Sequence, residues 1–115
     1  HKIINGIPGK PPRPLCTPEL FFSYWATKEV AQVAWNLRRL LIEKMDRPEN
    51  MMVYPNDPMA LMDFWKGDSL DAVDFIMGVE EFFQISIPEA DAGNFFTKYS
   101  FYETVNYISK RVREK

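Results

Sequence analysis

The stretch "WKGDSLDAVDFIMGVEEFFQISIPEADAG", Trp65 to Gly93, decides the fold. Asp68 is a good N-cap residue, and Asp71, three positions on, brings a carboxylate to the first turn, where the helix dipole favours it. The pattern predicts a helix to about Phe83. Ile85 to Pro88 then stops it with β-branched residues and a proline, and a short turn or helix covers Ala90 to Phe96. At about 100° per residue, Ala72, Phe75, Ile76, Val79 and Phe83 share one broad face, wide enough for a core stripe. Leu70, Val73 and Met77 form a second, narrower stripe, with Asp74 and Glu81 on one side and Glu80 on the other. An apolar strip edged by carboxylates suits a partner whose apolar side chains are ringed by Lys or Arg. The same strip also reads as further core beneath a solvated acidic face.

Working outward, Thr27 can cap a preceding helix in which Val30, Val33, Ala34, Leu37, Leu41 and Met45 recur at helical spacing. Pro48 ends it. Residues 46 to 67, with three prolines, form a loop too long to stand alone in a small domain. Met51, Met52, Val53, Leu61, Phe64 and Trp65 are therefore expected to fold back onto the core. After the quoted stretch, Ser100 and Glu103 make a capping box for a last helix, Phe101 to about Val112, with Phe101, Val105 and Ile108 inward. The fold class is all-α: a bundle of three main helices plus a short one, a long loop after the first, and an N-terminal extension.

That extension is residues 1–25, leaving residues 26–115 as the domain. Five of the nine prolines lie in residues 1–18, which points to an extended arm. Thr17, Pro18 and Glu19 read as N-cap, N1 and N2 of a short helix through Leu20, Phe21, Phe22, Tyr24 and Trp25. So aromatic a segment either packs on the domain or docks on a partner.

With 115 residues the chain makes one domain. No apolar run approaches the roughly 18 residues of a membrane span. One cysteine, Cys16, and one histidine, His1, leave no internal disulfide and no metal-ligand cluster. Cys16 reads as a small residue in a connecting segment. Between Asp68 and Thr97 there are seven acids and no Lys or Arg, a negative surface that argues against nucleic acid and for a basic partner. The start without Met or a signal core reads as a processed end, a boundary or a first ordered residue.

Ser69 raises a chemical question. Gly67-Asp68-Ser69-Leu70 matches the signature of a family of serine esterases, but a serine nucleophile needs a base within hydrogen-bond reach. His1 is the only histidine, no strand precedes the motif, and Asp71 takes the place of the second glycine of a nucleophile elbow. Ser69 fits better as an acceptor that another enzyme modifies. A phosphodiester there would meet the unpaired N–H groups and dipole of a helix N-terminus.

From these residues the chain resembles the acyl carrier proteins, most closely the mitochondrial and related bacterial members. Gly67 to Asp71 match the attachment motif. Val73, Asp74, Met77, Glu80, Glu81 and Phe83 follow the recognition helix, and Ile87-Pro88 match its close. The resemblance runs from roughly Thr27 to Ile108. It implies a non-catalytic carrier for fatty acid synthesis, with 4′-phosphopantetheine on Ser69 holding acyl chains as thioesters. Asp68 and Leu70 would be recognised by the phosphopantetheinyl transferase. Asp71, Val73, Asp74, Met77, Glu80 and Glu81, with Leu70, would meet partner enzymes. Phe75, Ile76, Val79 and Phe83 would line the acyl space. The implied compartment is the mitochondrial matrix, with a bacterial cytoplasm as alternative. Phe82 replaces a usual acid, and the arm has no counterpart in the simplest members. The bulky additions and the weak net charge of −2 suit a second expectation, a structural subunit of a larger assembly bound to small helical partners of the LYR type.

Overall fold

The computed structural model describes residues 3–4, 13–45, 47–60 and 69–115. Among them are five helices: α1 (Pro18–Phe22), α2 (Lys28–Met45), α3 (Ser69–Phe83), α4 (Glu89–Phe95) and α5 (Phe101–Arg113). Helix α2 packs against both α3 and α5, and α1 lies on α2. The chain is thus a helical bundle of three main helices. Two-residue strands β1 (Ile3–Ile4) and β2 (Arg13–Pro14) add an antiparallel ladder, Ile3 opposite Pro14 and Ile4 opposite Arg13. The sequence had suggested only an extended arm at this point. Asp68, Leu61, Phe64 and Trp65, named above for a cap and for burial, lie outside the described residues.

The helix starts follow their side-chain caps. Thr17 Oγ1 accepts the Leu20 N–H at 3.2 Å, and Thr27 Oγ1 accepts that of Val30 at the same distance. At α5 every early N–H has an acceptor. Ser100 and Glu103 exchange the two bonds of a capping box, while Phe101 and Tyr102 donate to the carbonyls of Asp57 and Pro55 at 2.8 and 2.7 Å. The loop before α3 therefore supplies acceptors that the helix lacks by itself.

That loop is core. Met51, Met52 and Val53 are fully buried, as expected from sequence, and so is Met59, which with Ala60 is helical where the sequence had suggested loop. Their backbone is held by Arg38, itself buried, whose Nε donates to Met51 O at 2.9 Å and whose Nη2 donates to Glu49 O at 2.6 Å. The inward face of α2 is Ala31, Ala34, Leu37, Arg38 and Leu41, with Val30 and Val33 only partly covered.

Helix α1 belongs to the same core. Phe21 is fully buried and Trp25 nearly so, and the Phe21 ring meets Trp35 edge-on with centroids 5.3 Å apart. Of the two expectations for this aromatic segment, packing on the domain is the one found. Burying a side chain the size of Phe contributes about 1.5–3 kcal/mol, which sets α1 firmly against α2. The Leu15–Met51 bridge and the Cys16 N–H to Asn50 O bond of 2.8 Å tie the preceding residues to the long loop.

Candidate functional site

Helix α3 begins at Ser69, the position the sequence gave to the candidate acceptor. Its first-turn N–H groups have no intrahelical acceptors, so the positive end of the helix dipole lies at this serine. From Ala72 onward its two apolar stripes separate. Phe75 and Val79 are fully buried and Ile76 and Phe83 partly so. Val73 and Met77 are 54% and 59% exposed. The second stripe is therefore surface at these two residues, not additional core, which decides between the two readings of that strip.

The bordering acids differ in what they do. Asp74 lies 3.7 Å from Lys44 Nζ across the groove to α2. Glu80 is half-buried and accepts the Ile87 N–H through Oε2 at 2.8 Å. Glu81 is exposed. Within the same turn Gln84 adopts φ 56°, a left-handed residue that ends the helix, and the Glu80 bond then fixes the chain on its way to Pro88. One of the three acids bordering the strip is thus engaged in closing its own helix.

Between α3 and α4 lies an apolar surface groove of about 450 Å³. Ala72, Ile76 and Met77 form one wall, with Ile87, Ala92 and Phe96 on the other. Ala72 stands one turn from Ser69, so the groove opens beside the first turn of α3. Of the four residues named for an acyl space, Ile76 lines this groove. Phe75 and Val79 are sealed in the core, where Phe75 meets Phe96 edge-on at 5.5 Å, and Phe83 packs on Phe82 at 4.9 Å. The sequence reading missed Ala92, Gly93 and Phe96. Their spacing along a short helix was the available signal, and the small residues leave the groove open. Lys44 carried no signal at all, since its role depends on where α3 lies.

Burial pushes the Cys16 thiol up, against a smaller opposite pull from Arg38, so it stays protonated at neutral pH. Among the described residues no group of three His, Cys, Asp or Glu is placed to hold a metal ion. No described helix is long and apolar enough to cross a membrane. No protein-family model, curated protein or solved structure matches the chain.

Proposed function

We propose that this chain is an acyl carrier protein, with Ser69 accepting 4′-phosphopantetheine from a phosphopantetheinyl transferase and fatty acid synthesis enzymes as its clients. The observation that carries the reading is the exposed Val73 and Met77 pair, edged by carboxylates, on the helix that Ser69 opens. An exposed apolar strip of this kind is a feature of association surfaces. When bound, the prosthetic group supplies a thiol that carries the acyl chain as a thioester. The residues present fit such a group. Ser69 offers a hydroxyl at a helix N-terminus, where a phosphodiester is favoured. The groove beside it is apolar, and its volume lies within the usual range of small-ligand pockets. In the same reading Asp68 and Leu70 serve transferase recognition, and the mitochondrial matrix is the working compartment.

The test is the intact mass of the protein isolated from its source, before and after hydroxylamine. A phosphopantetheine increment mapped to Ser69, with a further hydroxylamine-sensitive acyl increment, is the expected result. Ser69→Ala should abolish both while leaving the unfolding midpoint unchanged. Loading that persists in Ser69→Ala would end the carrier reading.

A second reading, a structural subunit bound to LYR-type helical partners, has its own support. Tyr24, Tyr102 and Phe82 add further exposed aromatic surface, and Tyr102 stacks on Trp25 at 6.0 Å. An unmodified Ser69 in a protein that co-purifies with a stable helical partner would favour it.

A further inference from the structure

Lys44 stands in the last turn of α2, with its Nζ 3.7 Å from Oδ2 of Asp74 on α3. Its stem lies over Gly78. A Cβ at that position would come within 3.1 Å of Lys44 Cε, so the bare glycine backbone gives the lysine its seat. Together with Met77, Glu80 and Glu81 these residues wall a surface groove of about 540 Å³. One cation therefore sits inside an otherwise acidic groove, directly beside the exposed Met77.

The three acids of this groove are in different states. Asp74 faces Lys44, and Glu80 is held by the Ile87 N–H. The Glu81 carboxylate is exposed and has no partner among the described residues. Asp74 and Glu81 are seven residues apart, two turns along one side of α3. An incoming cation meets Glu81 unencumbered and Asp74 already occupied.

We infer that Lys44 is an internal competitor for the cationic partner of α3, holding Asp74 until a basic helix displaces it. The inference rests on the docking reading of this face given above. The pair is long, and its two side chains are 26% and 59% exposed; a surface pair of this kind contributes little to stability, so displacement is easy. The lysine charge nonetheless repels any Lys or Arg brought near Asp74 and lowers affinity for partners that place one there. Lys44 thereby selects partners whose strongest cation lands on Glu81.

The test uses the full chain and a synthetic amphipathic helical peptide with Leu on one face and Arg along both edges, followed by fluorescence anisotropy. Lys44→Gln should tighten binding about two- to fivefold, with the gain shrinking as salt rises. Lys44→Arg, which keeps the charge, should bind like the parent. Asp74→Asn should weaken binding more in the Lys44→Gln background than in the parent, whereas Glu81→Gln should weaken both. Circular dichroism melting checks that each variant is folded. Binding to Lys44→Gln that is no tighter, while Glu81→Gln and Met77→Ser still weaken it, overturns the competitor and leaves the docking face standing. A peptide indifferent to Glu81→Gln and Met77→Ser overturns the docking reading, and the competitor with it.

Discussion

The carboxylate of Glu80 accepts the backbone N–H of Ile87 at 2.8 Å, joining the last turns of α3 to the segment that leads into α4. Ile87 is buried and lines the groove between those helices, so the bond positions one wall against the other. Removing the acceptor leaves a largely buried N–H unpaired. Glu80→Ala should therefore lower stability by about 1–3 kcal/mol, whereas Glu80→Gln, which keeps an oxygen in place, should lose less. Urea unfolding of the three proteins checks this order. Equal midpoints would mean that the bond contributes nothing to holding the groove.

Phe21 ties α1 into the bundle through Trp35 and Phe101, with centroids 5.3 and 6.4 Å apart. Phe21→Ala should cost about 3–5 kcal/mol, a large share of the roughly 5–15 kcal/mol that stabilises a domain. Phe21→Leu keeps most of the volume and should cost distinctly less. If both variants unfold at the parental urea concentration, α1 is an appendage and the core is complete without it.

The elements most legible in the sequence are those whose ends are written locally. Thr17, Thr27 and the Ser100–Glu103 box each bond backbone within three residues, so residue type and spacing suffice to find them. The buried methionines of the long loop were also readable, because a loop of that length needs core contacts. The inward face of α2 was readable at Ala34, Leu37 and Leu41 but not at Arg38. Arg38 turns inward because the carbonyls of Met51 and Glu49 lie there to receive it, and nothing near position 38 in sequence announces them. The site divides in the same way. Periodicity separated Val73 and Met77 from Phe75 and Val79, but could not say which of Asp74, Glu80 and Glu81 would be free. That depends on Lys44 and Ile87, which reach those acids only through tertiary packing.

Tyr107 makes stability fall at alkaline pH. Burial pushes its hydroxyl above the ordinary value of 10.0, and its hydrogen bond to Asp91, 2.7 Å long, pushes the same way, while Arg111 opposes both. A raised folded-state value favours the neutral form in the fold. The stabilisation is then fully present below about pH 10 and is lost as pH rises through the folded-state value. Tyr107→Phe should show a shallower decline of stability above pH 10 than the parent, because one ionising group has gone. Matching slopes in urea unfolding at pH 9 to 11 would remove Tyr107 from the alkaline transition.

Val73 and Met77 should be dispensable for folding and needed for association. Both are more than half exposed, so Val73→Ser and Met77→Ser should change stability by no more than about 0.5 kcal/mol. Phe75, on the opposite stripe of the same helix, is fully buried, and Phe75→Ala should cost about 3–5 kcal/mol. Binding should show the reverse order for the two exposed residues. Apolar residues at the centre of a docking face are where truncation is most costly, and a loss above about 1 kcal/mol corresponds to a fivefold or greater loss of affinity. Anisotropy with the Leu- and Arg-bearing peptide, measured beside urea unfolding of the same preparations, separates the two effects. A Met77→Ser protein that keeps both its stability and its affinity would make the exposed strip an ordinary solvated surface. A protein that keeps its stability and loses the peptide would show that these side chains are exposed in order to be covered.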